Sequence, residues 1–93
     1  NMMNQIFQKI SSIKSRKTSS EIALAIDMKS GNLLELNDTG YEILNRLDGI
    51  KSVETICIEL TEVYEVTMVD IKQDVLELLE KLLQTGFIFE VSQ

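Results

Sequence analysis

Between Gly31 and Gly40 the chain changes its hydrophobic period, and that change restricts it to strands first and helices afterwards. The ten residues Gly-Asn-Leu-Leu-Glu-Leu-Asn-Asp-Thr-Gly hold a turn, a short strand and a helix cap. Lys29, Ser30, Gly31 and Asn32 tolerate turn conformations, residues 33–36 read as a strand, and Asn37 or Asp38 carries the side-chain oxygen that starts a helix. A strand so brief, entered from a hairpin and left directly into a helix, is expected to keep one long edge without a partner in the chain.

Upstream, residues 21–28 alternate, with Ile22, Leu24, Ile26 and Met28 on one side and Glu21, Ala23, Ala25 and Asp27 on the other. Residues 6–13 are apolar-rich and predict a first strand, and the polar, basic residues 15–20 its hairpin connection to the second. The three strands then form an antiparallel meander. Residues 1–5 are expected to be loose, with Asn1 a cloning remnant.

Downstream, Gly40, Ile43, Leu44 and Leu47 share one stripe of a helix that ends at Asp48-Gly49. Gly40 lowers helix propensity by about 1 kcal/mol against alanine, which predicts the close approach of a neighbouring backbone. Ser52 caps a second helix with Val53, Ile56, Cys57, Leu60 and Tyr64 on its stripe; Cys57 reads as a small buried side chain, and Ile58 points away. Thr67 and Asp70 make a capping-box-like pair that opens the longest helix, residues 68–84. Gly86 suits a left-handed cap, and residues 87–91 a short extended tail. The predicted architecture is a single α+β, winged-helix-like domain over residues 1–93, an N-terminal three-stranded antiparallel sheet followed by a three-helix bundle.

The apolar fraction of 44% with 26% charged residues belongs to a folded chain rather than a disordered one. No run approaches the roughly 18 apolar residues of a membrane span, and no signal-peptide h-region is present, so a cytoplasmic protein without a membrane partner is expected. One cysteine cannot form an internal disulfide, in keeping with that compartment. Without histidine there is no zinc, haem or iron-sulfur ligand set and no Ser-His or Cys-His pair, and the four glycines are too scattered for a phosphate loop. Asp74, Glu77 and Glu80 fall on the polar side of the last helix, where a solvated face outweighs an acid/base pair. The expectation is a protein with no catalytic residues, no metal and no cofactor.

Charge is unevenly spread. Residues 1–30 carry five bases against two acids, a net +3, and residues 31–93 four bases against thirteen acids, a net −9. That asymmetry fits either two solvated surfaces or a basic hairpin, with Lys14, Arg16 and Lys17, that engages an acidic partner segment in a salt-dependent way.

On the last helix the apolar positions span an arc of about 160°, wider than the roughly 100° one core requires. Leu76 and Leu83, seven apart and flanked by Lys72, form the excess edge. Either the sheet covers that edge, or a groove between this helix and the third strand stays partly open.

Taken together, Leu36-Asn37, Thr39-Gly40, Ile43-Leu44, Leu47-Asp48-Gly49, Ser52-Val53, Ile56, Leu60, Tyr64, Val66, Asp74-Val75, Leu78-Leu79, Leu82 and Gly86-Phe87-Ile88 resemble the pattern of the PqqD family. These small domains, called RiPP recognition elements, bind the leader of a ribosomally made precursor peptide. The resemblance covers residues 33–88 closely and the first two strands in kind. It implies a non-catalytic peptide-binding chaperone: the leader adds as an antiparallel strand along the third strand and lays apolar side chains against the third helix. Leu33, Leu34, Glu35, Leu36 and Asn37 would then present the edge, with Lys72, Leu76, Leu79 and Leu83 as the groove wall. Amide exchange at Leu34 and Leu36 is expected to slow when leader binds. The partners it implies are the precursor peptide and a maturase, either a radical-SAM enzyme or a lasso-pathway leader peptidase.

Two other readings compete. A winged-helix DNA-binding protein needs a basic recognition helix, whereas Asp70, Asp74, Glu77 and Glu80 outnumber Lys72 and Lys81 here, so no nucleic-acid partner is expected. An adaptor that pairs with a second copy, a homodimer through Leu76 and Leu83 or through the free strand edge, suits the same features.

Overall fold

The computed structural model describes residues 2–92; Asn1, expected to be a loose remnant, lies outside them. The chain runs from a 3-10 turn at Met2–Asn4 through β1 (Ile6–Lys9), β2 (Ile13–Lys17), β3 (Ile22–Asp27) and β4 (Leu33–Asn37) to α1 (Asp38–Asn45). It continues through β5 (Asp48–Ser52), α2 (Val53–Val63), α3 (Met68–Thr85) and β6 (Ile88–Glu90). Four strands precede the first helix in an α+β layout, as expected. Among the described residues, however, there are two three-stranded antiparallel sheets, β2-β3-β4 and β5-β1-β6.

The helix ends are set locally. Asn37 Oδ1 accepts the Gly40 N–H at 2.7 Å, and Ser52 and Thr67 accept from the N–H groups of Thr55 and Asp70. Gly86 ends α3 with φ 77°, its N–H donating to the Leu82 and Leu83 carbonyls.

The second sheet corrects the reading of residues 6–13 as one strand. That stretch divides at residues 10–12, where the Ile13 N–H turns back onto the Ile10 carbonyl at 3.1 Å. β1 is then the middle strand of the extra sheet, Phe7 opposite Glu90 and Gln8 opposite both Phe89 and Asp48. Residues 15–17, expected to be hairpin connection, instead belong to strand β2, pairing Arg16 with Leu24 and Lys17 with Ala23. A polar, basic strand is the usual composition of a sheet edge. Asp48–Ser52 is likewise a strand rather than the close of α1. The carboxylate of Asp48 accepts the N–H groups of Ile50 and Lys51, and Gly49 takes φ 79° with the Gln8 side chain packed where a Cβ would lie. At the N-terminus, Met2 and Met3 pack against the core and the Val53 N–H donates to the Gln5 carbonyl, in place of the loose end expected.

The core joins both sheets and all three helices through Phe7, Leu36, Ile43, Leu44, Ile56, Leu60, Ile71, Val75, Leu79, Leu82 and Phe87, each no more than 5% exposed. Cys57 is buried among them, and loss of solvent pushes its thiol pKa up. The alternation of β3 is real, but its alanine side faces inward: Ala23 and Ala25 are fully buried while Ile22 and Met28 are exposed. Small side chains let α1, which packs on β3, come close to the sheet.

Candidate functional site

β4 pairs with β3 on one side and is the terminal strand of its sheet. Which of its backbone groups are free follows from the hairpin. The Asp27 N–H donates to the Asn32 carbonyl at 2.9 Å. In an antiparallel ladder bonded pairs alternate with unbonded ones, so Ala25 with Leu34 and Ala23 with Leu36 exchange hydrogen bonds. The N–H and C=O groups of Leu33 and Glu35 therefore point out of the sheet along the open edge. The expectation placed on the Leu34 and Leu36 amides is corrected by this register, because both are already bonded to β3.

Side chains alternate the other way. Leu36 is buried and Leu34 half-buried on the inner face, while Leu33, Glu35 and Asn37 are exposed on the outer one. Beside the edge runs a trough of about 360 Å³ between β4, the first turns of α1 and the middle of α3. Leu36, Ile43 and Leu78 supply its apolar lining, and Glu35, Asp74, Glu77 and Lys81 its charges, three acids to one base. Gly40 also lines it; a Cβ there would meet the Asn37 Oδ1 at 3.2 Å and the Leu36 side chain at 3.4 Å. The close neighbour expected at Gly40 is thus a capping side chain and a leucine, rather than another backbone.

The structure does not bring the four predicted helix residues to this trough. Leu79 is fully buried in the core. Lys72 and Leu76 line a second depression of about 450 Å³ with Val69, Gln73, Glu77 and Glu80, further round α3, with Glu77 bordering both, and Leu83, 39% exposed, continues their stripe at seven-residue spacing. The helix positions that face β4 are Asp74, Glu77, Leu78 and Lys81, which the sequence reading left aside as solvated or as core. Leu78 was visible as the far margin of the apolar arc.

A polar latch holds the start of α1 against the first sheet. Asp38 binds the Lys17 ammonium through one oxygen and accepts the Tyr64 hydroxyl at 2.9 Å through the other. The Lys17 Nζ also lies 5.9 Å from the Tyr41 ring centroid. Lys17 is thereby engaged within the chain, whereas its neighbours Lys14 and Arg16 form no ion pair among the described residues. The lysine and the tyrosine hydroxyl hold the Asp38 carboxyl below its usual range. Burial, followed by the bond to Asp38, pushes Tyr64 up to about 12. A group whose pKa rises on folding adds stability that is complete below its unfolded value, near 10, and is lost as pH climbs through the folded one. Urea midpoints should therefore fall between about pH 10 and pH 12 more steeply for the wild type than for Tyr64→Phe. Parallel profiles would mean that the hydroxyl is not bonded to Asp38.

Among the described residues no group of three or more histidine, cysteine or acidic side chains is placed to hold a metal ion, and no helix is long and apolar enough to cross a membrane.

Comparison with known proteins agrees with this architecture. A chain solved as "Lasso peptide synthetase B1 complexed with the leader peptide" superposes with a TM-score of 0.72 and 29% identity, over 89% of this chain and 96% of that one. A second, "TbiB1 in Complex with the TbiA(beta) Leader Peptide", has a TM-score of 0.71 at 18% identity over 87% and 93%, a likeness of fold. No curated protein matched in sequence. Residues 17–88, which run from the end of β2 to the start of β6, match the model of the family described as coenzyme PQQ synthesis protein D, and on that match the chain belongs to the PqqD family.

Proposed function

We propose that this protein is a non-catalytic chaperone that binds the leader segment of a ribosomally made precursor peptide and brings it to a separate maturation enzyme. The observation that carries the reading is the open edge of β4, with the outward backbone groups of Leu33 and Glu35 beside the apolar lining of the trough. Such an edge accepts an extended peptide through main-chain hydrogen bonds that are indifferent to sequence, and the trough selects among alternate side chains. One or two large apolar leader residues rest on Leu36, Ile43 and Leu78. The surplus of acid at the rim disfavours acidic residues at those leader positions.

Membership of the PqqD family and the likeness to two leader-peptide complexes support the same ligand class. The maturase is a radical-SAM enzyme or a leader peptidase, and the chaperone acts by raising the leader's effective concentration at that enzyme's active site. A leader that must order on binding loses about 2–5 kcal/mol or more, which places the affinity between high nanomolar and low micromolar.

Hydrogen exchange followed residue by residue, with and without leader, tests both the mode and the register. Exchange at Leu33 and Glu35 should slow by an order of magnitude or more on saturation, with little change at Leu34 and Leu36 beyond general stabilisation. Leu78→Glu should weaken binding about tenfold or more, since an ionised carboxylate would sit against the leader's apolar anchor. Slowing confined to the flank that carries Leu76 and Leu83 would reject the β4 site.

A further inference from the structure

Among the described residues no helix covers the outer face of the β2-β3-β4 sheet, and the molecule, 18 Å in its shortest dimension, has room for little more than two layers. Ile22 and Leu33 are 41% and 62% exposed on that face, with Leu24 and Ile26 half-buried between them. The strand register arranges the face in rows that cross the sheet. Lys14, Ile26 and Leu33 make one row, and Arg16, Leu24 and Glu35 the next. Each row is basic on β2 and apolar on β3, and the second ends on β4 in an acid. Among the described residues Lys14, Arg16 and Glu35 form no ion pair, although Lys17 beside them does.

A basic flank, an apolar centre and an acid on the far flank are complementary to their own image under a two-fold rotation. With the axis parallel to β3 and lying between two such faces, height along the strand is preserved while left and right exchange. Leu24 and Ile26 then meet their own copies, Arg16 meets Glu35 of the second copy, and the aliphatic stem of Lys14 covers Leu33 of the second copy. This is the isologous contact of a cyclic dimer, with every pairing made twice. Two sheets packed this way keep their strands within about 30° of alignment.

We propose that this face is a weak self-association surface that joins two copies of the chain sheet to sheet. Three strands about 4.8 Å apart and some five residues long cover roughly 15 by 17 Å, well below the approximately 800 Å² per partner of a standard stable interface. The dimer is accordingly a weak one, formed at high local concentration. The contact runs perpendicular to the sheet, whereas the open edge of β4 lies in its plane; Leu33 and Glu35 belong to both, through their side chains in the dimer and their backbone groups at the edge. The inference does not depend on peptide binding, and its test uses no peptide.

Sedimentation equilibrium of the full chain between about 10 μM and 1 mM at low salt should show the mass rising from 10.6 kDa towards twice that value, with the rise suppressed at high salt. Leu24→Lys should abolish association. Arg16→Glu and Glu35→Arg should each weaken it tenfold or more, and the double exchange should restore it, a rescue that only their juxtaposition across the two-fold produces. Circular dichroism of each variant confirms folding. A chain that stays monomeric at 1 mM overturns the proposal. So does a dimer that survives Leu24→Lys or is not rescued by the double exchange, since it would form through the α3 flank or the β4 edge instead.

Discussion

Replacing Glu35 with proline should abolish most of the leader affinity while leaving the domain folded. Its N–H points away from β3, so the fold loses no ladder hydrogen bond, and proline is tolerated on an edge strand where the missing donor faces outward. The bound leader, by contrast, loses a main-chain donor to one of its carbonyls, at about 1–3 kcal/mol, and its backbone must also pass the pyrrolidine ring. Together these amount to about 30-fold or more in dissociation constant. Leu36→Pro is the matched control with the opposite outcome. There the lost N–H is bonded to β3 and the lost side chain is 5% exposed in the core, so the sheet should come apart at a cost of about 3 kcal/mol or more. Calorimetric titration with leader, paired with thermal melts, separates the two variants. If Glu35→Pro binds as the wild type does, no added strand lies on β4; if it unfolds instead, the register derived for the edge is wrong.

That register shows where sequence is sufficient and where it is not. The caps at Asn37, Ser52, Thr67 and Gly86 were legible because each depends on a side chain and backbone groups within a few residues of one another. The same local chemistry exposed the brevity of β4 and its entry into α1, and so the open edge. The bonding parity along β4 was hidden, because it is set by the pair that closes the hairpin, Asp27 and Asn32.

What failed was non-local. Asp48–Ser52 carries one large apolar side chain, Ile50, and that is 78% exposed; only backbone pairing with β1, some forty residues earlier, makes a strand of it. In β3 the alternation revealed two faces, yet not which of them is inside. Size argued for the isoleucines and leucine, but the close approach of α1 selected the alanines, and the larger side chains were left on the outer face. On α3 the width of the apolar arc was correct, whereas the flank turned towards β4 depends on how the chain crosses from sheet to helix, which no wheel contains. Leu76 and Leu83 lie at one margin of the arc and Leu78 at the other, and the trough lies at the second.

Leu79 is the sharpest case, and its truncation should be the most destabilising of the helix substitutions. Placed in a binding wall by the family resemblance, it is fully buried in the core. Leu79→Ala should cost about 2–5 kcal/mol, the lost transfer energy plus the cavity left behind. A domain of this size has only about 5–10 kcal/mol in all, so the melting temperature should drop by 10 °C or more. Leu83→Ala, at a partly exposed position outside the core, should cost under about 1 kcal/mol. Urea denaturation of both variants measures the difference, and leader titration at a temperature where both are folded supplies the second axis. A core residue changes stability and leaves the affinity of the folded fraction nearly intact, whereas a wall residue does the reverse. A stable Leu79→Ala protein that binds leader tenfold more weakly would return Leu79 to the wall, and would require α3 to be rotated about its axis from the orientation that places Leu78 in the trough.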